Sequence, residues 1–439
     1  MAEHRAVEIL QALIRFDTTN PPGNERACIE YIGGLLRGAG IPVEIQGEDP
    51  DRPNLVARIR GQGTAAPLLL FGHVDVVTTA HQSWAVPPFE ARIQDGYLWG
   101  RGALDMKSGV AMMATALLEA HERKLPLAGD VVFCVVADEE AGGAKGAQYL
   151  VEQYPTLFDG VRFALGEFGG FPIYMGDQRL YLVQIAEKQP CWMEIAIRGP
   201  AGHGARPMRD GAMAELSHIL HRLNTRRLPV HICEATRQMV LAMAESVPRT
   251  QRAILKRLLC PRWTDAVLRM LGELGRNFEP LFRNTANATI VRGGDKANVI
   301  PSEIILGLDG RLLPGQHPGD LIRELDALTQ RTLDCRVRLY EPSSERIDPG
   351  LLPVLAAALR CQDTDARIAP YLLPGSSDAR FFSRLGIQTY GFTPMNLPPD
   401  FSFFETIHAA DERIPVECLA FGTRAMLEVL QTFGQTDLD

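Results

Sequence analysis

No run in this chain is long enough to cross a bilayer. The most apolar runs, Leu68–Phe71, Val131–Ala137 and Ile304–Leu308, fall far short of the roughly 20 residues that a spanning helix needs. An excess of basic charge is also missing. The 45 Lys and Arg are outnumbered by 53 Asp and Glu, for a formal net charge of −8. Nucleic acid and anionic membrane are bound by positive surfaces that release counterions, so neither is expected as a partner. The N-terminus has no basic segment followed by an apolar one, so a secretory signal is not expected. The cysteines (Cys28, Cys134, Cys191, Cys233, Cys260, Cys335, Cys361 and Cys418) show no CxxC spacing. Scattered through apolar runs, they read as buried free thiols of a reducing, cytoplasmic setting rather than disulfides or a thiolate metal site. A G-x-S-x-G elbow for a serine nucleophile is absent, and so is a G-x-G-x-x-G turn after the first strand for a nicotinamide cofactor. There is no internal repeat and no low-complexity linker.

What remains is an ordinary globular composition, with 46% hydrophobic and 22% charged residues, which excludes wholesale disorder. The 439 residues exceed the roughly 250–300 at which a single core stops growing, so two domains are expected. The first part alternates helical patterns (Ala2–Phe16, Asn24–Ala39, Ser108–Arg123) with apolar strands (Asn54–Arg60, Pro67–Val77, Val131–Ala137, Val161–Leu165). Buried strands alternating with helices predict an α/β, doubly wound, mostly parallel sheet. From about Ala186 the order becomes strand, helix, strand, strand, helix, strand: Cys191–Arg198, Gly211–Leu223, Thr289–Arg292, Ile304–Leu312, Pro318–Leu333 and Cys335–Tyr340. That order is the split β-α-β, ferredoxin-like α+β unit. Between its first helix and second strand, residues 229–284 read as an inserted helical hairpin. After Glu341 the first pattern returns, with helices at Leu351–Cys361 and Pro415–Phe433 and strands at Arg367–Leu373 and Gln388–Phe392. The predicted architecture is a discontinuous catalytic domain, 1–186 and 342–439, interrupted by a lid at 187–341.

The chemistry-bearing residues sit at strand ends. Phe71-Gly-His73-Val-Asp75-Val-Val closes a strand, where residues two apart share a side. The Asp75 carboxylate can then accept the second N–H of His73, fix its tautomer and sharpen the other nitrogen as a metal donor. Standing alone, the pair would read as a core histidine beside a surface acid. It is followed by a glycine-rich turn, Leu98-Trp-Gly-Arg-Gly-Ala-Leu-Asp105-Met-Lys-Ser-Gly109, which places Asp105 near a helix N-terminus that favours an anion. The strand Val131–Ala137 ends in Asp138-Glu139-Glu140-Ala-Gly-Gly, acids that repel one another unless a cation or solvent screens them. Consecutive loop residues point apart, so one glutamate can bind metal while its neighbour holds a water. Val161–Leu165 ends in Gly166-Glu167-Phe-Gly-Gly, and His408 lies in a late loop. In open α/β sheets ligands bind at the carboxyl ends of strands. Two histidines with carboxylates and no cysteine suit zinc, cobalt or manganese.

With Gly-His-Val-Asp-Val-Val, Gly-Arg-Gly-Ala-Leu-Asp-Met-Lys-Ser-Gly and Ala-Asp-Glu-Glu-Ala-Gly-Gly in place, the chain resembles a family of co-catalytic metallohydrolases. It includes succinyl-diaminopimelate desuccinylase, acetylornithine deacetylase, aminoacylase and a folate-destroying glutamate carboxypeptidase. The likeness runs from the Thr18-Thr-Asn-Pro-Pro-Gly23 turn to the closing helix. It implies two divalent ions, zinc foremost, bridged by Asp105. His73 and Glu167 would complete one ion, Glu140 and His408 the other, and Glu139 would be the general base. Gly202-His203-Gly204 is similar to a lid histidine that stabilises the oxyanion, in many members from the other subunit of a dimer. Asn298 and Arg311 match lid positions near substrate, and Gly375-Ser376 belongs to a loop that holds the substrate's carboxylate end. The chain departs from the family at Gly310 and at Gly375-Ser-Ser, where many members have Gly-Gly-Thr.

The activity implied is metal-dependent hydrolysis of an amide or peptide bond in an N-acyl amino acid or small peptide, by a homodimer paired through the lid. Alternatives are another two-metal hydrolase, such as an aminopeptidase, and a non-catalytic binding module on the same fold. The order of elements in the lid and the His203 motif weigh against the first, and Glu139 beside a full set of donors weighs against the second.

Overall fold

The computed structural model describes residues 2–176, 178–344 and 347–435. They form two compact units, one drawn from 1–185, 346–371 and 377–439, the other from 186–345 and 372–376.

The first unit is organised by a nine-stranded sheet. Its centre is parallel, in the order Val131–Val136, Leu68–His73, Phe163–Gly166, Gln388–Gly391. Strands toward both edges run antiparallel, Val43–Gln46 and Asn54–Ile59 on one side and Gln178–Glu187 on the other. Every residue of Leu68–His73 and Val131–Val136 is buried, because helices cover both faces. Ala2–Arg15, Lys107–Glu122 and Val416–Thr432 pack together on one face. On the other face Leu69, Phe71, Val132, Cys134 and Val136 meet Leu150, Phe158, Phe381 and Phe382.

Register decides where this sheet delivers its polar residues. Leu68 lies opposite both Val131 and Phe163, and His73 lies opposite Val136. The three strands therefore end at nearly one level. His73, the Asp138–Glu140 segment and Glu167 emerge side by side from a fully apolar layer.

The second unit is an antiparallel sheet of four strands, in the order Thr285–Arg292, Glu303–Leu312, Gln189–Arg198, Cys335–Tyr340. The helices Ala212–Thr225 and Pro318–Thr329 bury one of its faces through Ile195, Ile197, Leu306, Leu308, Ile219 and Leu325. Gly310 has a packing reason. A Cβ there would lie 2.4 Å from the Cys191 carbonyl oxygen and 2.9 Å from Leu321 Cδ2. The glycine thus lets strand and helix close on one another.

The insertion is not a hairpin. It folds as four short helices, Glu234–Glu245, Arg249–Lys256, Pro261–Met270 and Gly272–Phe278. Pro248 and Pro261 each start a new helix, and Gly272 takes a left-handed φ of +62°. Proline has no N–H to continue the preceding ladder, so a long amphipathic pattern is cut into pieces.

Candidate metal centre

His73 closes its strand with a ring only 1% exposed. Its Nδ1 is 3.0 Å from the Asp75 main-chain oxygen and 3.5 Å from the Asp75 carboxylate. A carbonyl can only accept, so Nδ1 carries a proton, and without a second proton Nε2 presents a lone pair. That lone pair faces Asp105 Oδ1 and Glu167 Oε2, each at 3.1 Å. Three acceptors converging in a buried space are unfavourable unless a proton or a metal cation sits between them.

The contact of His73 with Asp75 differs from the sequence expectation. The strand ends at His73, so two-residue alternation does not carry beyond it, and the carbonyl makes the shorter contact. The buried Asp75 carboxylate instead accepts the main-chain N–H of Glu139 at 3.1 Å and of Glu140 at 3.0 Å, and the Asn20 amide at 2.8 Å. It thereby holds the short 3-10 turn Glu139–Ala141 against the end of the neighbouring strand. Behind it, Asp138 takes a left-handed φ of 70° and pairs with Arg52, which also grips the buried Glu25.

Asp105 lies just before the helix Lys107–Glu122. Its Oδ1 reaches His73 at 3.1 Å and its Oδ2 reaches His408 Nε2 at 3.2 Å. His408 Nε2 also lies 3.2 Å from Glu140 Oε1. Two donor groups share Asp105: His73, Asp105 and Glu167, all buried, and Asp105, Glu140 and His408, of which His408 is exposed. Within each, the ligand atoms lie within 4.8 Å of one another.

Burial and mutual charge shape these groups. Burial opposes ionisation of Asp105, but hydrogen bonds from His408 and His73 win and hold its carboxyl below the usual range. Burial pushes Glu167 up to about 8, against the pull of His73. Burial, reinforced by the charge of Glu167, raises Glu139 well above an ordinary carboxyl, and burial raises Glu140 too. His73 is raised despite burial by Glu167, Asp105 and Asp75, and His408 is raised to about 10 by Asp105 and Glu140. In the chain alone, protons on the histidines must supply the countercharge. A divalent ion can take that place.

The residues fit such ions. The donors are nitrogen and oxygen, the set preferred by zinc and its neighbours. Glu167 Oε1 is buried without a hydrogen-bond partner, an orphan acceptor that a cation would satisfy.

The other candidate residues lie in the second unit. His203 is exposed and pairs with Val299 in a two-stranded ladder, and the Gly204 N–H donates to the Asn298 carbonyl at 2.9 Å. These two are thus neighbours. The Ala205 N–H donates to His203 Nδ1 at 3.1 Å, which leaves Nε2 as the ring's N–H donor. Arg311 forks onto Asp309 at 2.8 and 3.2 Å and donates to Ser376 Oγ at 3.1 Å. Gly375 adjoins that serine, and a Cβ there would meet the Leu373 side chain at ordinary van der Waals distance.

Sequence reasoning passed over Glu412, a buried carboxylate that accepts the N–H groups of Gly102, Leu104 and Asp105. The one local signal was an acid four residues after His408. Arg52 was equally invisible.

The family model described as peptidase family M20/M25/M40 matches residues 69–432. The N-fatty-acyl-amino acid synthase/hydrolase PM20D1 of Xenopus tropicalis is 27% identical, over 97% of this chain and 85% of that protein. Human aminoacylase-1 is 25% identical over 94% of this chain and 91% of its own. Among solved structures, the M20 family metallo-carboxypeptidase Sso-CP2 of Sulfolobus solfataricus superposes with a TM-score of 0.71 at 15% identity, covering 98% of this chain and 99% of that one. A Bacillus subtilis protein, YXEP, described as a dinuclear metal binding peptidase of the M20 family, gives 0.62 at 13% identity, covering 99% of both chains.

Proposed function

Because the chain belongs to peptidase family M20/M25/M40 and is a hydrolase of amide or peptide bonds, we propose that its substrate is an N-acyl amino acid or small peptide, cleaved at a centre of two divalent ions. The observation that carries this reading is Asp105, which turns one carboxylate oxygen to each of two histidines, with a further glutamate on either side. His73, Asp105 and Glu167 would hold one ion, and Asp105, Glu140 and His408 the other. Once bound, such a pair acidifies a water and polarises the scissile carbonyl.

The remaining roles fall to side chains. Asp75 keeps the Glu139–Glu140 turn in place through two main-chain N–H groups. Glu139, half-buried beside Glu167, takes the proton of the attacking water and returns it to the leaving amine. Its raised affinity for a proton suits a shuttle that must hold one between the two steps. His203 donates from Nε2 to the developing oxyanion. Asn298, the neighbour of His203, together with Arg311 and the Gly375-Ser376 segment, would bind the polar ends of the substrate.

Zinc is the ion we favour, with cobalt and manganese compatible with the same donors. We also place the protein in the cytoplasm as a homodimer paired through the second unit. In support, all eight cysteines are unpaired, and among the described residues no helix is long and apolar enough to cross a membrane. The exposed edge strand Thr285–Arg292 offers backbone groups for pairing with another copy. Elemental analysis of active protein, with assays on N-acetyl and N-succinyl amino acids and dipeptides, tests the reading. Trace metal only, or no hydrolysis of any member with metal restored, would overturn it.

A further inference from the structure

The loops that carry Asp105 and His408 leave one small ladder, in which Arg413–Pro415 pairs with Tyr97–Trp99. Past the ladder they are joined by a single buried ion pair. Glu412 Oε2 accepts Arg101 Nη1 at 2.7 Å and the Gly102 N–H at 3.1 Å. Its Oε1 accepts the N–H of Leu104 at 2.7 Å and of Asp105 at 3.1 Å. A carboxylate so saturated dictates the path of the 101–105 backbone, because each donor must point at it. Arg101, 1% exposed, carries the connection onward. Its Nη2 donates to Gln82 Oε1 at 2.7 Å and to the His408 carbonyl at 3.3 Å. Gln82 Nε2 donates to the same carbonyl at 2.8 Å.

The far end of this strut needs holding. His408 and Asp411 both have φ of 60°, a left-handed conformation uncommon for residues with a Cβ. The His408 ring is also half-exposed, so side-chain packing does little to fix it. His73 and Glu167, by contrast, are set by the ends of two paired sheet strands. We infer that Glu412, Arg101 and Gln82 are positioning residues that set the separation of Asp105 and His408, and so assemble one donor group, Asp105–Glu140–His408, selectively. The inference rests on that group being a metal site.

Calorimetric titration of chelator-stripped protein with Zn2+ tests it, comparing the parent, Glu412→Gln and Gln82→Ala. The amide of Glu412→Gln sets an NH2 against donors that need an acceptor. Gln82→Ala removes only a half-buried side chain. In both variants the Asp105–Glu140–His408 site should weaken by about 10–100-fold, the usual effect of losing a partner behind a ligand, and the other site, which shares only Asp105, by clearly less. Lost turnover should return when metal is raised, which a general structural defect would not allow. Two sites of parental affinity in both variants, or equal loss at both sites, would overturn the strut. A parent that binds fewer than two ions would overturn the metal reading itself, and the strut with it. Should Glu412→Gln fail to fold, Gln82→Ala decides by the same criterion.

Discussion

The carboxylate of Asp75 accepts the main-chain N–H of Glu140 at 3.0 Å, across 65 residues of sequence. The bond joins the end of one sheet strand to the turn that follows its neighbour. Asp75→Asn would turn an amide N–H toward main-chain N–H donors and displace that turn. Metal affinity should fall by about 10–100-fold, read by competition with a chromogenic chelator. Unchanged affinity would remove Asp75 from this role.

Glu139→Gln keeps shape and the main-chain bond to Asp75 but abolishes the proton shuttle. Metal content should match the parent, while kcat drops by about two to four orders of magnitude. A near-normal kcat would transfer the base to another group, with Glu140 first in line.

Metal removal should expose a dependence on pH. In the stripped protein the proton affinity of His408 is raised from 6.5 to about 10, and that of Glu167 from 4.5 to about 8. Both groups are raised, so their stabilising effect is complete below the unfolded values and lost as pH climbs through the folded ones. The melting temperature of chelated protein should therefore fall as pH is raised from about 6.5 toward 10. With metal restored the slope should flatten or reverse, since deprotonated ligands bind tighter. A chelated protein whose melting temperature ignores pH over that range would contradict the assignment.

Gly310→Ala tests the packing of the second unit. Its methyl would press on the Cys191 carbonyl at 2.4 Å, and overpacking of this kind costs about 1–3 kcal/mol. Chemical denaturation should register the loss, while metal stoichiometry stays at the parental value.

His203 is tested by mixing. Inactive Glu139→Gln and inactive His203→Ala proteins are combined under conditions of subunit exchange. Recovery of part of the activity is expected if His203 serves the neighbouring subunit. No recovery, with exchange confirmed separately, would confine His203 to its own chain or remove it from the reaction.

The sequence by itself determined the two textures of the chain, because helical and strand periodicity are local and the runs Leu68–Phe71 and Val131–Ala137 are apolar enough to demand burial on both faces. It also placed His73, Glu139, Glu140 and Glu167 at strand ends, since each follows an apolar run directly. Short strands such as Arg92–Gln94 and Arg413–Pro415 were not legible, being too brief for any period to show. The insertion misled because its amphipathic pattern continues across prolines that cut the backbone. Tertiary structure alone decided that the Asp75 carbonyl rather than its carboxylate lies closer to His73, and that Glu412 organises the 101–105 loop. These are contacts between segments as much as about 300 residues apart. Their geometry comes from strand register and buried hydrogen-bond saturation, which exist only once the sheet has formed.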